Sequence, residues 1–132
     1  MVHTFEEVLQ RVRTIEINAE NFDMLVAIAN GGIIPAAMIN QRLMLPIHLL
    51  KIHLKDENQK PLWDTPRLIE PINFDFKGKR ILLVDDRIKS GKTIVFAREL
   101  LREAASVHTF AVNGNADYAL YNEACFKFPW CI

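Results

Sequence analysis

The sequence predicts an α/β fold with a mainly parallel central sheet flanked by helices. Two stretches carry that prediction. Residues 81–84, Ile-Leu-Leu-Val, are a continuous apolar run, as in a strand buried on both faces. They lead into Asp85-Asp86, then Ser90-Gly91-Lys92-Thr93, then an apolar-periodic segment expected to be helical over 94–105. Residues 24–28, Met-Leu-Val-Ala-Ile, repeat the pattern: the run stops at Asn30-Gly31-Gly32, and Ile33 onward reads as a helix with Pro35 in its first turn. Strands alternating with helices imply parallel neighbours joined by right-handed crossovers.

The other elements follow in order. Thr4 and Glu7 have capping-box spacing, and Phe5, Val8, Leu9 and Val12 recur at helical intervals, so an amphipathic helix opens the chain. Residues 46–54 are apolar enough for a third strand, made mixed and edge-like by His48, Lys51 and His53, with both histidines read as structural. Residues 55–66 are polar, contain two prolines and show no period, which marks a surface loop of lid length. A short strand is expected over 68–76, a turn at 76–79 and a further strand over 107–112. The aromatic-rich stretch 117–132 has no helical period and is too irregular for one long strand.

With 132 residues, half of them hydrophobic, the chain is expected to form one domain over 1–132. Its 16 basic and 16 acidic residues balance, so the totals point to neither nucleic acid nor an anionic membrane. Cys125 and Cys131 form no C-x-x-C pair, which argues against a thiolate metal site or a disulfide framework. There is no basic leader followed by an apolar run, and no apolar stretch of membrane-spanning length. A cytoplasmic protein with reduced thiols is the expectation.

Chemistry concentrates at 85–93. Ser90-Gly91-Lys92-Thr93 matches the end of a nucleotide-binding P-loop, but that motif requires glycine where this chain has Asp86. Paired carboxylates would repel a triphosphate, whereas they are good acceptors for vicinal sugar hydroxyls. A ribose 5-phosphate satisfies both halves: its diol on Asp85 and Asp86, its phosphate on the backbone N–H groups and hydroxyls of Lys89, Ser90, Gly91, Lys92 and Thr93 at a helix N-terminus. Ligands of open α/β sheets bind outside the carboxyl ends of the strands, where this loop is predicted to lie.

Val84-Asp85-Asp86 with Ser90-Gly91-Lys92-Thr93 resembles the phosphoribosyl pyrophosphate (PRPP) signature of type I phosphoribosyltransferases, and the chain is most similar in plan to the compact xanthine/guanine-type members. The resemblance implies a three-layer fold, a pyrophosphate loop at Asn30, Gly31 and Gly32 with a cis peptide whose candidate bond is Asn30-Gly31, a flexible lid at 55–66, and a small C-terminal hood over 117–132. It further implies transfer of ribose 5-phosphate from PRPP to a nitrogenous base with release of pyrophosphate, Mg²⁺ as cofactor with Asp86 as its contact, and a homodimer. Lys89 occupies a loop position where many purine enzymes carry an acidic residue, which makes it a catalytic candidate beside Asp86; Phe126 and Cys125 fall on the base side. Because a charged lysine accepts no proton and the hood departs from the xanthine/guanine pattern, the alternative is a PRPP- or nucleotide-sensing regulatory module without transfer activity. Arg87 has two open readings, neutralising the aspartates or pointing to solvent.

Overall fold

The computed structural model describes residues 2–53 and 66–132. The expected lid therefore lies outside the described residues, except for Pro66. Helix α1 spans Phe5–Thr14 and is opened by the expected capping box: the Thr4 hydroxyl accepts from the Glu7 N–H while the Glu7 carboxylate accepts from the Thr4 N–H. Strand β1, Met24–Ala29, is buried along its whole length. Helix α2, Ile33–Leu43, follows the glycine turn directly, with Pro35 in its first turn, and ends at Met44 in the left-handed region. Strand β2, Ile47–His53, comes next.

Two expected elements need correction here. The strand expected over 68–76 shrinks to β3, Arg67–Leu68, paired antiparallel to β2. Ile72, Phe74 and Phe76 alternate in strand fashion, but they do so while lying over the core, where Phe74 stacks on His48 with ring centroids 4.6 Å apart. Pro71, with no N–H to donate, stands between β3 and this apolar trio. The helix expected over 94–105 is α3, Lys92–Leu100. It ends early because the Ala104 N–H turns back to the Leu101 carbonyl and the Ala105 N–H bonds the Lys79 carbonyl, setting the next strand beside the one that starts at Arg80.

Strand β4 runs over Arg80–Ile88 and β5 over Ser106–Gly114, both longer than their apolar runs. The aspartates thus belong to the strand instead of following it, since pairing continues through Asp85↔Ala111, Arg87↔Asn113 and Ile88↔Gly114. Gly114 permits this: its φ is 138°, and a Cβ there would stand 2.2 Å from the Ile88 carbonyl oxygen. The first residues of the expected hood form β6, Tyr118–Tyr121, parallel to β5. The short return between them is pinned where the Asp117 carboxylate accepts from the Thr109 N–H at 2.9 Å.

The sheet order is β3-β2-β1-β4-β5-β6, parallel except for β3. Residues of α1, α2 and the C-terminal segment share one core with Leu25, Leu82 and Phe110, while α3 and the 72–76 stretch share the other with Val26, Leu83 and Leu50. Three layers result. At the centre, β1 and β4 are neighbours whose following helices cover opposite faces, so their carboxyl ends open the crevice where ligands of such sheets bind.

Candidate active site

The two turns singled out in the sequence meet at this crevice. After β1, a cis peptide joins Ala29 to Asn30, one bond earlier than expected, and the Gly32 N–H then bonds the Ile28 carbonyl at 2.7 Å. A Cβ on Gly32 would stand 2.3 Å from the Val84 carbonyl oxygen, so backbone packs directly on backbone there. A Cβ on Gly31 would stand 2.8 Å from the carboxyl carbon and both oxygens of Asp86. Glycine in both places lets the turn close against β4.

Each carboxylate also folds onto the chain that follows it: Asp85 accepts from the Asp86 N–H at 2.8 Å, and Asp86 from the Arg87 N–H at 2.6 Å. Burial, followed by the charge of Asp86, pushes the Asp85 carboxyl up to about 8. Beyond Ile88, Lys89, Ser90 and Lys92 are exposed, and Gly91 turns with φ 83° into α3, with open space where its Cβ would be. Residues 89–93 thus offer amides and hydroxyls at the N-terminus of a helix.

Arg87 follows neither of its two readings. Its guanidinium donates to the Phe126 carbonyl and lies over the Phe128 ring at 4.9 Å, tying β4 to the C-terminal segment. Phe126 is buried, its ring 5.2 Å from His3, 5.0 Å from Tyr121 and 5.2 Å from Phe128, whereas Cys125 is exposed. The sequence reading missed His3, which is 7% exposed. Its Nδ1 faces Glu7 at 3.2 Å, its Nε2 faces Glu123 at 2.9 Å, and its ring stacks on Tyr121 at 4.1 Å. Asn113 adds a second brace, accepting from the Glu123 N–H and donating to the Glu123 carbonyl. The four-residue step from His3 to Glu7 was visible in the sequence, but the 120-residue step to Glu123 carries no local signal.

No group of three or more His, Cys, Asp or Glu able to hold a metal occurs among the described residues. Two adjacent carboxylates suit a hard cation held mainly by substrate oxygens and water, which is how Mg²⁺ is commonly bound at phosphate sites. The adjacent carboxylates of Asp85 and Asp86 are oxygen donors of that kind.

The fold is that of the type I phosphoribosyltransferases, and the protein is a phosphoribosyltransferase, a glycosyltransferase by class. The chain belongs to the phosphoribosyl transferase domain family, whose profile matches residues 4–128. It is 23% identical to the xanthine-guanine phosphoribosyltransferase of Idiomarina loihiensis over 96% of this chain and 84% of that one. The orotate phosphoribosyltransferase of Pyrobaculum aerophilum is 31% identical over 83% of this chain, which spans 54% of that relative's length. The purine phosphoribosyltransferase of Pyrococcus horikoshii Ot3 shares the fold, with a TM-score of 0.78 and 24% identity over 98% of this chain and 92% of that one.

Proposed function

We propose that the protein transfers ribose 5-phosphate from PRPP to a ring nitrogen of a small base, with Mg²⁺ as cofactor and pyrophosphate as leaving group. The observation that carries this reading is the contact of Gly31 with Asp86, which sets a glycine turn beside the carboxylate pair. One crevice then accommodates a pyrophosphate and the diol of the same molecule.

Asp85 and Asp86 hold the ribose diol, and Ser90, Gly91, Lys92 and Thr93 hold the 5′-phosphate. The backbone of Asn30, Gly31 and Gly32 takes the pyrophosphate. Lys89, exposed beside the phosphate loop, adds positive charge on the reacting side, and the hood with Cys125 and Phe126 bounds the base. Bound Mg²⁺ would offset negative charge on the departing pyrophosphate. The remaining catalysis is positioning and electrostatic: the anomeric carbon gains positive character as its bond to pyrophosphate lengthens, and a fixed sugar exposes it to one nitrogen instead of to water.

The reading extends to a homodimer. Ile47 and Leu49 register with Leu25 and Ala27, so they lie on the α2 side of the sheet, yet they are 38% and 43% exposed. Ile34 at 41% and Met44 at 83% extend the apolar surface along α2. A second copy would cover this face. The setting is read as cytoplasmic, a compartment that keeps exposed thiols such as Cys125 and Cys131 reduced.

The test is pyrophosphate release from PRPP and Mg²⁺ across a panel of purines, pyrimidines and other amines. Release with at least one acceptor is expected, together with loss of PRPP binding when Asp85 and Asp86 are both replaced by Asn. Silence with every acceptor would overturn the transferase reading.

A further inference from the structure

We propose that Arg87 is a positioning residue that couples occupancy of the ribose crevice to the seating of the C-terminal hood. The proposal rests on the PRPP reading above. One residue touches both halves of the site. Its backbone N–H is bonded to Asp86 Oδ1 at 2.6 Å, and its guanidinium holds the Phe126 carbonyl and the face of Phe128.

The choice of partner is informative. Two carboxylates stand immediately before Arg87 in sequence, yet its guanidinium is turned onto a neutral backbone carbonyl and a ring. Because the acceptor is main chain, the bond fixes the height of the hood backbone itself. Phe128 in turn stacks on Trp130 with centroids 5.2 Å apart and planes at 12°, so the seat continues outward along the hood. A ligand that draws on Asp86 Oδ1 shares that oxygen with the Arg87 N–H, and the guanidinium carries the resulting shift to Phe126. Glu123 is held separately, by His3 and Asn113, so the start of the hood stays fastened when the Arg87 guanidinium is removed, while His3 also stacks on Phe126 and Asn113 registers with Arg87 across the sheet.

Three measurements test this on wild type, Arg87→Met and Arg87→Lys: calorimetric titration with PRPP and Mg²⁺, hydrogen exchange of residues 122–131 with and without PRPP, and kcat and KM for an accepted base. In wild type, PRPP is expected to slow hood exchange about fivefold or more. In Arg87→Met, PRPP affinity is expected to stay within about threefold while ligand-dependent protection disappears and base KM rises about tenfold with kcat little changed. Arg87→Lys, which keeps a cation over Phe128, is expected to recover part of the protection even if Arg87→Met folds poorly. Equal protection by PRPP in wild type and in both variants would overturn the coupling. A flat PRPP titration in wild type would overturn the reading beneath it and the coupling with it, and is told apart because no ligand-dependent change is then measured in any form.

Discussion

The carboxylate of Asp86 occupies the space that a side chain on Gly31 would need, 2.8 Å from the position of its Cβ. The neighbouring Gly32 is confined by main chain instead, 2.3 Å from the Val84 oxygen and 2.9 Å from that of Ile28. Alanine at these two positions should therefore do different damage. Gly31→Ala displaces a side-chain end and should weaken PRPP binding about tenfold, or about 1.4 kcal/mol, with a melting temperature close to wild type. Gly32→Ala collides with two carbonyls and should cost about 1–3 kcal/mol of stability. Calorimetry and thermal melts on the pair check this, and equal loss of stability in both would refute the assignment of the Gly31 clash to Asp86.

Lys89 accepts no proton while it is charged, and the described carboxylates nearest the hood are engaged: Glu123 with His3, Asp117 with Thr109 and Arg98. In the proposed reaction the attacking ring nitrogen then sheds its proton to solvent before it bonds to the sugar. The expected outcome is a kcat/KM that rises with pH through the base's own ionisation, about tenfold per pH unit below it. Lys89→Glu should flatten that rise. A profile independent of the base's acidity in wild type would contradict this.

His3 has a carboxylate at each ring nitrogen, an arrangement that favours the ring with both nitrogens protonated. The hydrogen bond to Glu7 leads the causes that raise its pKa above the ordinary 6.5, ahead of those from Glu123. The sign follows from linkage: the stabilisation is complete below the unfolded value and is lost as pH rises through the raised folded one. The wild-type melting temperature should fall as pH rises above the ordinary histidine range, and His3→Phe, which keeps the stack on Tyr121, should show a smaller fall. Parallel curves would remove His3 from the account of hood stability.

The apolar face formed by Ile34, Met44, Ile47 and Leu49 gives a prediction about assembly. Met44→Glu combined with Leu49→Lys should convert a dimer to a monomer in sedimentation, raising the dissociation constant about a hundredfold or more, while far-UV circular dichroism stays unchanged. A variant that remains dimeric would place the interface elsewhere.

Much of the parallel sheet was legible because β1 and the first half of β4 are buried on both faces and therefore spell out apolar runs. The Thr4–Glu7 cap was legible because it is local. The continuation of β4 through Asp85, Arg87 and Ile88 was not, since main-chain bonds to β5 hold it and leave the side chains free to be polar. Alternation at Ile72, Phe74 and Phe76 imitated a strand because packing onto a flat core selects the same period as pairing does. In the site, the residue types at 30–32 and 85–93 were readable, but their juxtaposition was not, because only the adjacency of β1 and β4 brings Gly31 to Asp86. Neither open reading of Arg87 named its partners for a related reason: they are 39 and 41 positions away and carry no local signal.

The fastenings of the C-terminal segment fall almost entirely along one border. Asp117 is clipped to Thr109, Glu123 to Asn113 and His3, and Lys127 is bridged to Val2, so this stitching belongs to β5 and the N-terminal segment. Arg87 supplies the stitch from the crevice side. A flap sewn along one border and buttoned at the other opens by undoing the button, and here the button is Arg87.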